Sequence, residues 1–282
     1  MKQHNITIGN TQLANIESVY FKCEFENPTG SVKDRSIINQ VLNAKKRGFK
    51  LAVISSSGNA AISASNYCKE ANINLTAFVS YHINLGKLEK LKESGTDIIQ
   101  SQKPISDAAS FSLKNNAYNL RQSLDSEAVS GYQNISYELL KQIPNADAIF
   151  IPVSSGTMFV GIARGYMGYE GPALHATQTE AVHPISQQFD REFSPSSESI
   201  ADGIVAKVTT RESEVIDLIE KSDGFGWVIG DDQIKKAHQY LRAYGIRTSY
   251  EGAMALAAVW KAKEKGYRYK SPVCILSGSF YG

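Results

Sequence analysis

The segment Asn27-Pro28-Thr29-Gly30-Ser31-Val32-Lys33-Asp34-Arg35 carries most of what this chain says about its fold. Pro28 and Gly30 are turn residues. Ser31 and Asp34 have the spacing of a capping box, which predicts a helix that opens at Ser31 and runs to about Lys46. Lys33 then sits in the first helical turn, beside the positive end of the helix dipole. That end disfavours an ammonium and favours the neutral amine, the form able to make a Schiff base. From its position alone Lys33 reads as a solvated lysine, and only the rest of the chain changes that reading.

Outward from this segment, strand and helix alternate. Short apolar runs at 51–54, 75–79, 97–100, 148–153, 174–178 and 272–276 predict strands. Helical patterns predict helices at 60–71, 87–94, 105–116, 135–142, 159–167, 231–244 and 252–265, with Gly245 as a C′ residue. Such alternation predicts parallel sheets covered by helices. The stretch SPSSES at 194–199 reads as a loop, and there is no internal repeat or low-complexity tract.

In open parallel sheets, ligands bind beyond the carboxyl ends of the strands. Three small-residue loops are expected there: SSSGN at 55–59, SSGTM at 154–158 and SGS at 277–279. Small residues let backbone N–H groups approach an anion, and a following helix adds its dipole. Each loop alone reads as a helix cap in a tight turn. Three at equivalent ends of a parallel sheet point to a shared ligand. None matches G-x-G-x-x-G or G-x-x-x-x-G-K-S/T, which disfavours a dinucleotide dehydrogenase and a P-loop NTPase. His4, His82, His175, His183 and His238 show neither metal spacing nor a G-x-S-x-G partner.

Composition sets the outer bounds. With 282 residues, 42% hydrophobic and 21% charged, the chain has the makeup of a globular protein of about two domains. Lys+Arg 30 against Asp+Glu 28 leaves no basic excess, so no nucleic-acid partner is expected. Cys23, Cys68 and Cys274 are scattered, which fits a reduced compartment and neither a disulfide framework nor a structural zinc. The apolar stretch at 253–260 is too short to span a bilayer, and residues 1–10 form no apolar signal core. A cytoplasmic protein without a membrane partner is expected.

FKCEFENPTGSVKDRSI at 21–37 resembles the K-x-E-x-x-N-P-T/S-G-S-F/V-K-D-R segment of the fold type II pyridoxal-phosphate (PLP) enzymes. This tryptophan-synthase-beta superfamily includes cysteine synthases, threonine synthases and serine/threonine dehydratases. The resemblance runs along nearly the whole chain. IGNTQL at 8–13 is similar to the family's G-N-T-P-L, with Gln12 for proline. GKLEKLKESG at 86–95 resembles a family helix end, and GYQNISYEL at 131–139 resembles G-x-x-T-x-x-x-E, with Asn134 for threonine. SIADGIVA at 199–206 is close to the T-I-A-D-G of dehydratases.

The resemblance implies site residues one by one. Lys33 is implied as the Schiff-base lysine and as the base that removes the substrate α-proton. Ser56, Ser57, Gly58 and Asn59 look like the S-S-G-N loop, which holds the substrate carboxylate and whose asparagine contacts the 3′-oxygen of the cofactor. Ser57 also stands where some relatives use a serine as acid/base, and Gln133 is implied as a further substrate-binding residue. Ser154, Ser155, Gly156, Thr157 and Met158 match the phosphate loop, with hydroxyl residues at two positions where glycine is common. Ser277 stands where the family bonds the pyridine nitrogen. A neutral hydroxyl there spreads less carbanion density into the ring, which suits β-elimination.

The implied fold is α/β, two three-layer α/β/α lobes with mostly parallel twisted sheets. A large PLP-binding domain is expected from 1–48 and 131–282, with a small substrate-binding domain, 49–130, inserted. The length leaves no room for an appended regulatory domain. The implied activity is elimination or replacement on a small L-amino acid, with a serine/threonine dehydratase-like ammonia-lyase as the best match. A threonine synthase-like or cysteine synthase-like enzyme is the alternative, and a non-catalytic relative kept as a binding protein is the other class. Ala60 stands where dehydratases carry histidine. The stretch 178–184 lacks both carboxylates of their cation site, so no metal is expected. Glu251 reads either as a cap of the helix that follows or as a pocket carboxylate facing a substrate amine. Family members are commonly homodimers.

Overall fold

The computed structural model describes residues 7–56, 58–81, 83 and 85–280. In chain order the strands are β1 Leu13–Ile16, β2 Val19–Lys22, β3 Leu51–Ser55, β4 Asn74–Ser80, β5 Asp97–Ser101, β6 Tyr118–Asn119, β7 Ala148–Pro152, β8 Ala173–Thr179, β9 Gly226–Ile229 and β10 Pro272–Ile275. The helices are α1 Lys33–Lys46, α2 Asn59–Ala71, α3 Leu85–Glu93, α4 Pro104–Asn115, α5 Ser126–Gln142, α6 Thr157–Gly165, α7 Glu212–Lys221, α8 Asp231–Ala243 and α9 Tyr250–Glu264. Packing divides them into two units, one built on Asn27–Gly131 and the other on Gly9–Glu26 with Tyr132–Phe280.

The first unit holds the sheet β5-β4-β3-β6, parallel throughout. Its strands show why an apolar run forms a covered parallel strand. Ala52, Ile54, Leu75, Ala77 and Val79 pack with Ile37 and Val41 of α1 and Ala61, Ala64 and Tyr67 of α2. The alternate residues Val53 and Phe78 pack with Ala108 and Phe111 of α4. Side chains that alternate between two helical layers give the three-layer arrangement. The domain expected over 49–130 lies wholly inside this unit, which also takes in α1 because α1 packs on α2.

The second unit holds the sheet β1-β2-β10-β7-β8-β9, in which β1 and β2 are antiparallel and every other neighbouring pair is parallel. Phe21, Phe150, Trp227, Ile229 and Cys274 from the sheet share one core with α8 and α9. Ala253, Ala255, Ala257, Ala258 and Ala262 of α9 belong to that core, and their short side chains let the helix lie close to the strands. A Cβ on Gly252 would meet Thr248 Oγ1 at 2.1 Å, so α9 enters this packing on a glycine.

Most expected elements are present with shifted ends, and the departures have physical causes. α5 starts at Ser126, well before the expected 135, because Gly131 lies inside the helix and reads in sequence as a break. A Cβ at Gly131 would fall 2.0 Å from the Arg35 carbonyl oxygen, so the glycine serves a close backbone approach. β1, β2, β6, β9 and α7 were not expected. The capping box is also corrected: α1 starts at Lys33, with Val32 in the cap position, αR backbone and no side-chain cap.

Candidate functional site

In the first unit, the turn before α1 is closed by Gly30 N–H donating to Asn27 O at 2.7 Å, with Gly30 at φ +87°. The Asp34 carboxylate folds back on this turn, accepting from Thr29 N at 2.7 Å and from Thr29 Oγ1. Burial pushes the Asp34 carboxyl above the usual carboxylate range, and the Thr29 hydrogen bonds pull the other way. Asp34 therefore braces the Asn27–Gly30 turn that delivers Lys33 and does not cap Ser31.

Lys33 is the first residue of α1 and is half-buried. Its Nζ donates to Gln122 Oε1 at 3.2 Å. Gln122 Nε2 donates to Ser36 Oγ, and Ser36 Oγ donates to Lys33 O at 3.1 Å. Gln122 lies in a 3-10 turn, Gln122–Leu124, and sequence reasoning missed it.

The 55–59 loop follows β3. Ser56 Oγ accepts from Gly58 N at 3.2 Å, and Asn59 opens α2. Asn59 Oδ1 is buried and has no hydrogen-bond partner. Ser57, expected in catalysis and in substrate binding, lies outside the described residues.

In the second unit, β7 runs into Ser154, Ser155 and Gly156, and α6 begins at Thr157. Gly156 has φ +84°, and a Cβ there would lie 2.8 Å from Val215 Cγ2, so both conformation and space call for glycine. Thr157 and Met158 are buried, and no side chain caps the helix. The first N–H groups of a helix have no intrahelical partner, so a buried, uncapped start is a ready anion cradle. Arg211 packs beside Gly156, but its Nη1 donates to Glu214 at 2.8 Å, and Glu214 also binds Arg164 at 2.7 Å. The Arg211 Nε, by contrast, is buried without a hydrogen-bond partner.

Ser155 and Thr157 hydroxyls share a 3.1 Å hydrogen bond. The Ser154 hydroxyl also ties this loop to a distant segment. Its Oγ accepts from Val205 N at 3.2 Å and Ala206 N at 3.3 Å, tying the loop to the 199–206 stretch. That stretch is held at further points. Ser199 Oγ donates to Asp231 Oδ1 at 2.6 Å, and just beyond the stretch Thr209 Oγ1 donates to Ser155 O at 2.6 Å. Glu251 supplies another hold, since its Oε1 accepts from Gly203 N at 2.7 Å. Neither sequence reading of Glu251 describes this, and Ser249 caps α9 by accepting from Gly252 N at 3.3 Å.

Because β10 lies beside β7 in parallel, the 154–158 and 277–279 loops follow neighbouring strands at the same carboxyl end of the sheet. Gly278 O accepts from Ser249 N at 2.7 Å and Thr248 Oγ1 at 3.1 Å, which fixes the turn after the half-buried Ser277. The expectation of three loops on one sheet is corrected: the 55–59 loop belongs to the other sheet. Gln133 lies half-buried on α5, and Asn134 is exposed.

Other residues of the quoted motifs are structural. Lys22 is fully buried, and its Nζ donates to Thr11 O at 2.8 Å, Glu138 Oε2 at 2.6 Å and Gln142 Oε1 at 2.9 Å. Gln178, where a cation-site carboxylate was absent, accepts from Ile185 N at 3.0 Å and Ser186 N at 2.9 Å. Among the described residues, no group of three His, Cys, Asp or Glu side chains could hold a metal ion. No helix among them is long and apolar enough to cross a membrane.

Comparison with known proteins adds what geometry alone does not. Residues 5–278 match the family model of the pyridoxal-phosphate dependent enzymes. A threonine synthase from Bacillus sp. is 27% identical over 93% of this chain and 77% of its own length. A catabolic L-threonine dehydratase from Staphylococcus aureus is 27% identical over 97% of this chain and 80% of its own. In fold, the chain is similar to maize serine racemase, with a TM-score of 0.83 and 23% identity over 94% of this chain and 84% of the other.

Proposed function

The chain belongs to the pyridoxal-phosphate dependent enzymes, and from that premise we propose a lyase that eliminates the β-substituent of a small hydroxy-amino acid, in the manner of a serine/threonine dehydratase. When bound, pyridoxal 5'-phosphate supplies an electron sink for the substrate α-carbon. Two features of this chain fit that group. The buried, uncapped start of α6 suits its phosphate, and the orphaned Oδ1 of Asn59 suits a hydroxyl on its ring.

In this reading Lys33 Nζ would hold the cofactor and, once freed by the incoming substrate amine, take the proton from the substrate α-carbon. Gly156, Thr157 and Met158 present backbone N–H groups to the phosphate, with Ser154 and Ser155 framing the loop. Ser277 offers a neutral hydroxyl to the ring nitrogen. Ser56, Ser57, Gly58 and Asn59 receive the substrate carboxylate, with Gln133 as a further substrate contact, and Ser57 meets the leaving hydroxyl. No metal has a role. Residues 49–130 form the substrate-binding domain and 1–48 with 131–282 the cofactor-binding domain. A cytoplasmic homodimer is the proposed setting.

The observation that carries the dehydratase reading is the SIADGIVA stretch, tied through Ser154 to the cofactor-phosphate loop. The threonine synthase relatives favour a second reading, a threonine synthase-like replacement enzyme, and a cysteine synthase-like one belongs to the same class. Holoenzyme mixed with L-serine, L-threonine, O-acetyl-L-serine and O-phosphohomoserine separates them. Keto acid from serine or threonine is expected. Threonine from O-phosphohomoserine, or a new amino acid only when sulfide is added, would replace the lyase by the corresponding synthase. A protein that develops no visible cofactor band would refute the enzyme reading.

A further inference from the structure

Three hydrogen bonds close a ring around the base of α1: Lys33 Nζ to Gln122 Oε1, Gln122 Nε2 to Ser36 Oγ, and Ser36 Oγ to Lys33 O. The ring has a direction. Ser36 gives its proton to the Lys33 carbonyl, so it meets Gln122 as an acceptor. That fixes the amide with Nε2 toward Ser36 and Oε1 toward the lysine. Ser36 is fully buried, and it holds this orientation from inside the unit.

An amide oxygen is a particular choice of partner for this amine. It accepts one N–H and leaves the nitrogen lone pair available. A carboxylate in its place would stabilise the ammonium and remove that lone pair. We propose that Gln122 is a positioning residue for Lys33, directing its Nζ whenever it is not covalently engaged, with Ser36 setting the amide orientation. This rests on the reading of Lys33 as the cofactor-holding lysine.

The test follows cofactor uptake by protein stripped with hydroxylamine. PLP is added across a pH series, the visible band is timed by stopped flow, and the labelled lysine is identified after borohydride reduction. Wild type, Gln122→Leu, Gln122→Glu, Gln122→Asn and Lys33→Ala are compared, each checked by circular dichroism. Gln122→Leu is expected to slow uptake about tenfold, the scale of one lost hydrogen bond to an amine, with the same lysine labelled. Gln122→Glu is expected to move the pH midpoint of uptake upward. In turnover, Gln122→Leu lowers kcat and leaves KM near wild type. Should Gln122→Leu not fold, Gln122→Glu and Gln122→Asn carry the same comparison. Wild-type rates and an unshifted pH profile in the Gln122 variants, with Lys33→Ala colourless, would overturn the positioning role alone. Labelling of a different lysine would overturn the Lys33 reading and the positioning role with it.

Discussion

His175 offers a test of the core by pH. It lies on β8, fully buried, with its ring stacked 4.4 Å from Phe150 and its Nδ1 accepting from Trp227 Nε1 at 3.3 Å. Burial pushes it from the ordinary 6.5 down to about 3, and the Phe225 backbone offsets this only in part. The folded state therefore prefers the neutral ring. Above the unfolded value neither state binds the proton, and His175 adds no pH dependence. As pH falls below it, the unfolded chain takes a proton that the folded chain refuses, and stability is lost until the folded value is passed. The linkage loss from this group is about 2 kcal/mol at about pH 5 and about 3 kcal/mol at about pH 4. His175→Phe removes the titration and leaves the Trp227 N–H without its acceptor, a cost of about 1–3 kcal/mol at neutral pH. Urea unfolding of wild type and variant across this range, followed by far-UV circular dichroism, gives their difference at each pH. Groups shared by both cancel in that difference. The variant is expected to gain about 2 kcal/mol on wild type between neutral pH and about pH 5. A difference that stays flat with pH would refute the reasoning.

Three further outcomes follow from buried contacts and loop ties. Gly131→Ala puts a Cβ 2.0 Å from the Arg35 carbonyl, and a backbone clash of that size should cost more than about 3 kcal/mol by thermal or urea unfolding. Lys261→Met leaves Asp190 buried without the ammonium that sits 2.6 Å from it, a loss of about 3–5 kcal/mol that Asp190→Asn in the same chain should partly restore. Ser154→Gly and Glu251→Ala each release one hold on the 199–206 stretch. Limited proteolysis should cut near the exposed Val205 and Val208 faster than in wild type, while Glu251→Gln, which keeps an acceptor for Gly203 N–H, should resist.

What the chain disclosed in advance was governed by local pattern. β3, β4, β7 and β10 are short apolar runs, and α2, α8 and α9 carry helical patterns with recognisable ends, so burial and periodicity named them. α7 escaped because only Val215 and Ile219 are its buried residues, a stripe too narrow to stand out among its charges. β1, β2 and β9 are four-residue strands, and β9 starts with a glycine. At the site, the glycine turn before Lys33 was legible because turn chemistry is local, whereas the role expected of Lys33 itself came only from the family resemblance. Gln122 was not legible, since a glutamine in a short turn has no signature and its partner is 89 positions away. Asp34 was misassigned for a related reason: its spacing from Ser31 mimics a cap, while the carboxylate turns back to Thr29. Ser154 and Glu251 show the same limit, as each bonds backbone about fifty positions off, where no sequence rule reaches.

The pairing of β2 with β10 bears on how the chain is made. β2 is synthesised early, yet its parallel neighbour is β10, with Tyr20 aligned to Val273 and Lys22 to Ile275. On the ribosome, β1 and β2 can join each other but must wait for nearly all of the remaining chain before the sheet closes around them. Asn27–Gly131, being contiguous, has all four of its strands much sooner. Synthesis therefore favours a time order in which the four-stranded unit forms first, while the β2 edge stays open to solvent, and to any chaperone that shields unpaired strands, until β10 emerges.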